Sequence, residues 1–169
     1  MKHISSKLTI SLFNLYVSVL YYEKKDYWKT LNEFLQLNSP NNIIIAGDLN
    51  LVMNEKEKRG GRNSKDQMLQ VVEDMIQQWD LLEFKPRKGI YTWTNNKTWE
   101  DHISARLDRF LIQSTLLLEQ KLISSAILPK LTSDHKPIWL MLEEEESLGP
   151  IPFKFSPLWN GKSSFIETV

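Results

Sequence analysis

The sequence predicts an α/β fold: a wholly apolar, β-branched run is flanked by two segments of helical periodicity, and further strand-like runs follow. The run is Asn42-Ile43-Ile44-Ile45-Ala46-Gly47, too short for a helix and apolar at consecutive positions, as a strand covered on both faces must be. On one side, Lys24–Leu37 places Trp28, Leu31, Phe34 and Leu35 at helical spacing; on the other, Asp66–Trp79 does so with Met68, Val71, Val72, Met75, Ile76 and Trp79. A layered protein with its strands inside and its helices outside is the simplest arrangement that buries all three stripes.

In chain order, Leu8–Val17 alternates Leu8, Ile10 and Leu12 with Thr9 and Ser11 until Phe13 breaks the pattern, and reads as a strand covered on at least one side and ending near Tyr16. The first helix stops at Asn38-Ser39-Pro40-Asn41-Asn42, because proline cannot continue it and Asn and Ser compete for its backbone bonds. After the central strand, Glu55–Lys65 carries five positive and two negative charges around Gly60-Gly61 and reads as a basic loop. Ser64-Lys65-Asp66-Gln67 has the spacing of a capping box for the second helix. Gly89–Thr94 and Arg106–Ile112 read as strands about a polar turn at Asn95–Asp101, followed by a short helix at Ser114–Lys121 and strands at Ser125–Leu128 and Pro137–Leu142. In Tyr91-Thr92-Trp93-Thr94 the alternation suggests aromatics inward and threonines outward. From Ser147 the pattern fails and the Pro-punctuated tail reads as an extended linker, giving a division into residues 1–146 and 147–169. Glu143–Glu146 reads as the solvated exit of the last strand.

Twenty-one basic residues balance twenty-one acidic ones, so any nucleic-acid binding must come from local patches rather than a global field. Without cysteine there is no disulfide framework, thiolate nucleophile or Cys-ligated zinc. The apolar runs are too short to span a bilayer, and the first residues lack the features of a secretory signal, so no membrane partner and an intracellular location are expected.

Reactive groups gather where the chain should leave its strands, the usual seat of sites in α/β proteins. Asp48 and Asn50, two apart, put a carboxylate and a neutral amide side by side if the extended conformation persists. The carboxylate could hold a hard cation or take a proton from water, and the amide could bond an anionic oxygen. An Asx turn after a buried strand is the competing reading and the commoner one. His135 and Asp134 are adjacent and point to opposite sides of an extended segment, so the orienting partner of the imidazole is a different carboxylate, with Asp108 the candidate. Such a pair makes His135 a general base or, protonated, a stabiliser of phosphoryl oxygens. Against this stand a turn-capping His135 and an Asp108 paired with Arg106 or Arg109 at the surface. Asn14 and Tyr16 share one face of the first strand, where the phenol could bond a phosphate or serve as plain core. Trp93, Trp99 and Tyr91, interleaved with Arg87, Lys88 and Lys97, could stack bases beside a basic rim.

Together, Phe13-Asn14-Leu15-Tyr16-Val17, Ile43–Asn50 with its Gly47-Asp48-Leu49-Asn50, Tyr91-Thr92-Trp93, Ser104–Leu111 with Arg106-Leu107-Asp108-Arg109, and Leu131–Ile138 with Ser133-Asp134-His135 resemble the motif series of the endonuclease/exonuclease/phosphatase superfamily. The nearest resemblance is to the endonuclease domain of plant non-LTR (LINE-type) retrotransposons, including the linker-like Gly149–Trp159. The resemblance implies a two-sheet α/β sandwich of the DNase I-like fold and Mg²⁺- or Mn²⁺-dependent hydrolysis of phosphate esters. It implies that Asp48 positions or deprotonates the attacking water, Asn50 holds a phosphate oxygen, Tyr16 and Asn14 contact the scissile group, Asp108 orients His135, His135 stabilises the transferring phosphoryl, and Asp134 helps to place metal or water. Trp93 and Arg106 join Asn14 as substrate-binding candidates.

Complete members of that family carry an N-terminal part with an early Asn and a metal-binding Glu, and this sequence starts just before the Asn-x-Tyr strand. The expectation is the C-terminal part of the sandwich with its N-terminal strands missing, weak metal binding and DNA interaction, impaired turnover, and self-association through exposed strands. Ser18 also stands where the family has a proline. Two further functions remain open: a non-catalytic retroelement remnant with weak nucleic-acid binding or a structural role, and a phosphomonoesterase on the same fold.

Overall fold

The apolar run forms a strand, Ile43–Asp48, whose three isoleucines are all buried in the computed structural model of the protein. The structure describes residues 9–62, 65–119 and 122–143. Successive strand side chains face opposite ways, so the burial of consecutive isoleucines demands a layer on each side, each fully buried side chain contributing about 1.5–3 kcal/mol. In chain order the elements are β1 (Ser11–Tyr16), α1 (Tyr21–Asn38), β2 (Ile43–Asp48), β3 (Lys58–Arg59), α2 (Leu69–Gln78), β4 (Leu81–Glu83), β5 (Trp93–Thr94), β6 (Ser104–Ala105), β7 (Asp108–Gln113), α3 (Ser114–Glu119), β8 (Leu122–Ile127) and β9 (Ile138–Glu143). One sheet has the order β1-β2-β7-β4, with β1 parallel to β2 and the other pairs antiparallel.

The two faces of this sheet have different covers. Leu15, Ile43, Ile45, Leu81 and Leu111 pack with Trp28, Leu31 and Leu35 of α1 and Val72 and Met75 of α2. On the opposite face Ile44, Phe110 and Ile112 meet Ile123 of β8 and Ile138, Leu140 and Leu142 of β9. A small sheet, β3-β6-β5, joins this second layer through a bridge between Trp93 and His135, and Lys136 N donates to Thr92 O at 2.7 Å. The result is a mixed α/β protein of the DNase I-like type, with helices outside one sheet and a second β layer on the other face.

The α1 and β2 expectations differ from the structure by a few terminal residues. α1 ends on Ser39, which adopts φ +41° and gives its N–H to Leu35 O just before Pro40. Elsewhere the differences have physical causes. In β1 the inward residues are Phe13 and Leu15, after the alternation of the preceding residues has broken, while Leu12 is 65% exposed. β1 is the edge strand, and the β8–β9 layer that covers Ile44 leaves Leu12 uncovered. α2 starts at Leu69, later than expected, because Asp66 closes a turn there, its Oδ1 accepting from Met68 N and its carbonyl from Leu69 N. Ser64 of the expected capping box lies outside the described residues, as do Lys121 and residues 147–169.

The basic segment is not one loop. It contains a 3₁₀ turn at Glu55–Glu57 with Glu57 buried, and then β3. Gly60 has φ +78°, and a Cβ there would stand 2.2 Å from His102 O, so the turn after β3 packs directly on the 95–103 loop. β4 was not expected, since three residues between Asp80 and Phe84 carry no readable period. Of Gly89–Thr94 only Trp93 and Thr94 form a strand, and the facing is inverted: Thr92 and Thr94 are buried and Trp93 is partly exposed.

Candidate active site

Gly47 sets the position of Asp48. Its φ is +120°, and a Cβ there would lie 2.1 Å from Leu15 O, so only glycine lets β2 pass this close to β1. In the β1–β2 register Tyr16 stands beside Asp48, and in the β2–β7 register Asp48 stands beside Asp108. Residues paired across strands share a face. Tyr16, Asp48 and Asp108 therefore lie in one row on the β8–β9 side, at the C-terminal ends of β1 and β2.

The second layer supplies the imidazole. His135 Nδ1 is 2.9 Å from Asp108 Oδ2, and His135 Nε2 is 3.8 Å from Asp48 Oδ2. A carboxylate accepts from Nδ1–H; in the neutral ring the lone pair on Nε2 then faces Asp48, and in the protonated ring Nε2 carries a second N–H toward it. The imidazole thus sits between two carboxylates from neighbouring strands, with only its Asp108 side in direct hydrogen-bond contact.

Asp48 is 6% exposed. Burial pushes its carboxyl above the ordinary aspartate range, and the negative Asp108 adds to this; the Asn50 N–H, His135 and Lys24 oppose the rise without cancelling it. Asn50 adopts φ +45°, so the extended conformation does not persist past Asp48. Its backbone N–H donates to Asp48 Oδ1 at 2.8 Å, the Asx turn of the competing reading, and its Nδ2 donates to Asp48 Oδ2 at 3.1 Å and to Val17 O at 2.6 Å. Both amide hydrogens are engaged within the protein, so Asn50 acts on Asp48 and has no donor left for a phosphate oxygen.

Other candidates are placed differently from expectation. Asp134 is exposed, and its Oδ2 accepts from the Trp93 indole N–H at 2.9 Å, the contact that chiefly holds this carboxyl below the usual range. The Trp93 indole N–H is thereby tied to Asp134, which fixes the orientation of its partly exposed ring. Arg106 is 4% exposed and pairs with Glu83 at 3.0 Å, which removes it from the substrate-binding set. Tyr16 is 78% exposed, its phenol in solvent at the end of the row, and Asn14 is exposed on the same strand face. Among the described residues no group of three or more His, Cys, Asp or Glu side chains is arranged to hold a metal ion. Asp48 and Asp134 each accept a hydrogen bond, from Asn50 and Trp93, and keep further lone pairs, but among the described residues they gain no additional carboxylate or imidazole to complete a ligand set for a divalent cation.

Sequence reasoning missed two supports. Thr92, 1% exposed, accepts at Oγ1 from Leu107 N and Asp108 N, each at 3.0 Å, while its carbonyl holds Lys136 N. One residue thus fixes the backbone next to both Asp108 and His135. The other is Arg109, whose guanidinium is fully buried on the helix-covered face between Glu57 (2.6 Å) and Glu83 (2.6 Å). The intruding threonine in Tyr91-Thr92-Trp93 was a visible signal for the first; nothing in the sequence marks the partners of Arg109.

No protein-family model matches the chain, and no curated protein matches it in sequence. Solved structures do match. The endonuclease domain of TRAS1, a telomere-specific non-LTR retrotransposon, is 14% identical over 84% of this chain with a TM-score of 0.62. The 3′-5′ exonuclease NExo from Neisseria meningitidis (15%, 80% of this chain, TM-score 0.61) and an AP endonuclease from Archaeoglobus fulgidus (18%, 80%, 0.62) are similar to the same degree. The chain spans 61% of the TRAS1 domain and 62% of each of the other two. These likenesses establish the fold.

Proposed function

We propose that the Asp48–His135–Asp108 group hydrolyses phosphodiester bonds in DNA, as part of a retrotransposon-type endonuclease. The observation that carries the reading is His135 seated between two carboxylates delivered by adjacent strands. The resemblance of its fold to nucleases of three kinds supports it. Asp108 holds the His135 ring so that Nε2 is available to accept or return a proton. Asp48, with its carboxyl shifted upward by burial, is tuned toward accepting a proton from water, and Asn50 fixes its two oxygens. Tyr16 supplies an exposed phenol beside Asp48 for a phosphate oxygen.

Substrate contact is assigned to a rim of two segments that the fold brings together. Arg59 and Arg62 flank the turn at Gly60-Gly61, and that turn packs on the loop bearing Lys97 and Trp99. Trp99 is 92% exposed with φ +57°, an aromatic face with no packing role.

Plasmid nicking in Mg²⁺ and in chelator, with wild type, His135→Ala and Asp48→Ala, tests the proposal. Nicking by wild type that is absent from both variants is the expected result; equal nicking by all three refutes it. The committed amides of Asn50 favour a second reading, DNA binding without turnover, which mobility shifts with no nicking would select. Release of phosphate from small monoesters in place of nicking would select a phosphomonoesterase.

A further inference from the structure

Lys24 lies on the buried side of α1 with 4% of its surface exposed, an uncommon place for an ammonium. Its Nζ donates to Asn50 O at 2.8 Å and to Asp66 Oδ2 at 2.6 Å. Asp66 is itself fixed, because its Oδ1 accepts from Met68 N at the start of α2. A tie between α1 and α2 needs only the Asp66 contact. The second contact reaches the peptide group of Asn50 at φ +45°, a left-handed conformation that asparagine enters more readily than other L residues but that still costs more than the extended one unless contacts hold it. From that conformation Asn50 gives one hydrogen bond to each oxygen of Asp48. Relaxation toward the extended region would turn the Asn50 carbonyl away from Lys24 and take both donors off the carboxylate.

We propose that Lys24 is a positioning residue for the candidate active site, its ammonium clamping the Asn50 peptide in the left-handed conformation from which Asn50 aims the Asp48 carboxylate at His135. The inference rests on the phosphodiesterase reading of that site, but the geometry of Asn50 can be followed without turnover. Lys24 touches no reacting atom; it acts through Asn50.

The test uses the 169-residue chain with Lys24→Met and with Lys24→Met/Asp66→Asn. The double variant removes cation and carboxylate charge together and keeps an acceptor for Met68 N, so it decides the matter if the single variant fails to fold. Amide hydrogen exchange by NMR is expected to show protection at the Asn50 backbone N–H falling about tenfold or more in either variant, with the rest of β2 unchanged. In nicking kinetics kcat falls about 10- to 100-fold with KM nearly constant, as for a misplaced reacting group. On an Asn50→Gly background, Lys24→Met lowers kcat by less than in wild type, because the side-chain amide that the clamp aims at Asp48 is gone while the backbone N–H bond remains. Unchanged Asn50 protection in a folded variant overturns the proposal, as does an equal loss of kcat from Lys24→Met with and without Asn50. If wild type shows no turnover, the nuclease reading fails on its own and the exchange measurement still decides the clamp.

Discussion

Thr92→Val is the most direct probe of how the second layer holds the site. The side chains are nearly the same size, so packing is preserved, but valine leaves the backbone N–H groups of Leu107 and Asp108 without the acceptor that both share. Thr92 is 1% exposed, so water cannot replace its hydroxyl without opening the contact. An orphaned buried donor costs about 1–3 kcal/mol, and two that can partly relax together cost about 2–4 kcal/mol. For a chain of this length that lowers Tm by roughly 5–15 °C. Thr92→Ser keeps the acceptor and removes one methyl, which costs about 1 kcal/mol. Urea unfolding of the three proteins should give midpoints in the order wild type, Ser, Val with a common slope. A Thr92→Val midpoint equal to or above that of Thr92→Ser would refute the claim that this hydroxyl carries both amides.

Glu57 and Asp48 make opposite contributions to acid stability. Burial alone would raise Glu57, but the hydrogen bond and charge of Arg109, with Lys85 and Arg106, outweigh it and hold the carboxyl low, so its stabilisation is present above the unfolded-state glutamate value and is lost as pH falls through the lower folded value. Asp48 is raised, so its stabilisation is present below the unfolded-state aspartate value and is lost as pH rises through the higher folded one. The Tm of Asp48→Asn relative to wild type should therefore rise as pH rises through that range, whatever the lost Asn50 hydrogen bond costs, and Glu57→Gln should unfold at a lower temperature than wild type at pH 7. Asp108→Asn should keep the fold and lower nicking at neutral pH by about 10²–10⁴-fold through loss of the His135 tautomer, read as kcat against pH. Trp99→Ala should leave Tm unchanged and weaken single-stranded DNA binding by about 1–3 kcal/mol in a fluorescence titration.

What could be read from the sequence is what a single element's periodicity encodes. α1, α2 and the burial of β2 follow from spacing alone, because a helix stripe or a doubly covered strand is visible within its own residues. The facing of β1 and of Thr92-Trp93-Thr94 is not of this kind. Phe13 and Leu12 are both apolar, and only the reach of the other layer decides which is covered. Thr92 reads as polar and outward until the amides that need its oxygen are known. The candidate site divides in the same way. Asp48, Asp108 and His135 stand out as reactive groups at strand ends, yet Asn50, Asp134 and Arg106 are equally conspicuous and are engaged by Asp48, Trp93 and Glu83.

The pairing of Asp48 with Asp108 depends on a register that no local pattern specifies, and the buried charges beside it supply the reason for that register. A slip of one residue between β2 and β7 would turn Asp108 to the helix-covered face and bring Arg109 to the row beside Asp48. Arg109 would then leave Glu57 and Glu83 buried on the helix side without their cation, and breaking such a pair costs about 3–5 kcal/mol. Its new place would be against the apolar side chains that β8 and β9 present to the sheet. The guanidinium that takes no part in the candidate chemistry therefore excludes the register in which that chemistry could not be assembled. Arg109→Met removes this discrimination while keeping an apolar side chain of similar reach. The variant should lose stability by about the cost of the broken pair, and the β2–β7 amide contacts seen by NMR should no longer be confined to the Asp48–Asp108 register; a single native register in that variant would show that the apolar pattern of β7 is sufficient without the ion pairs.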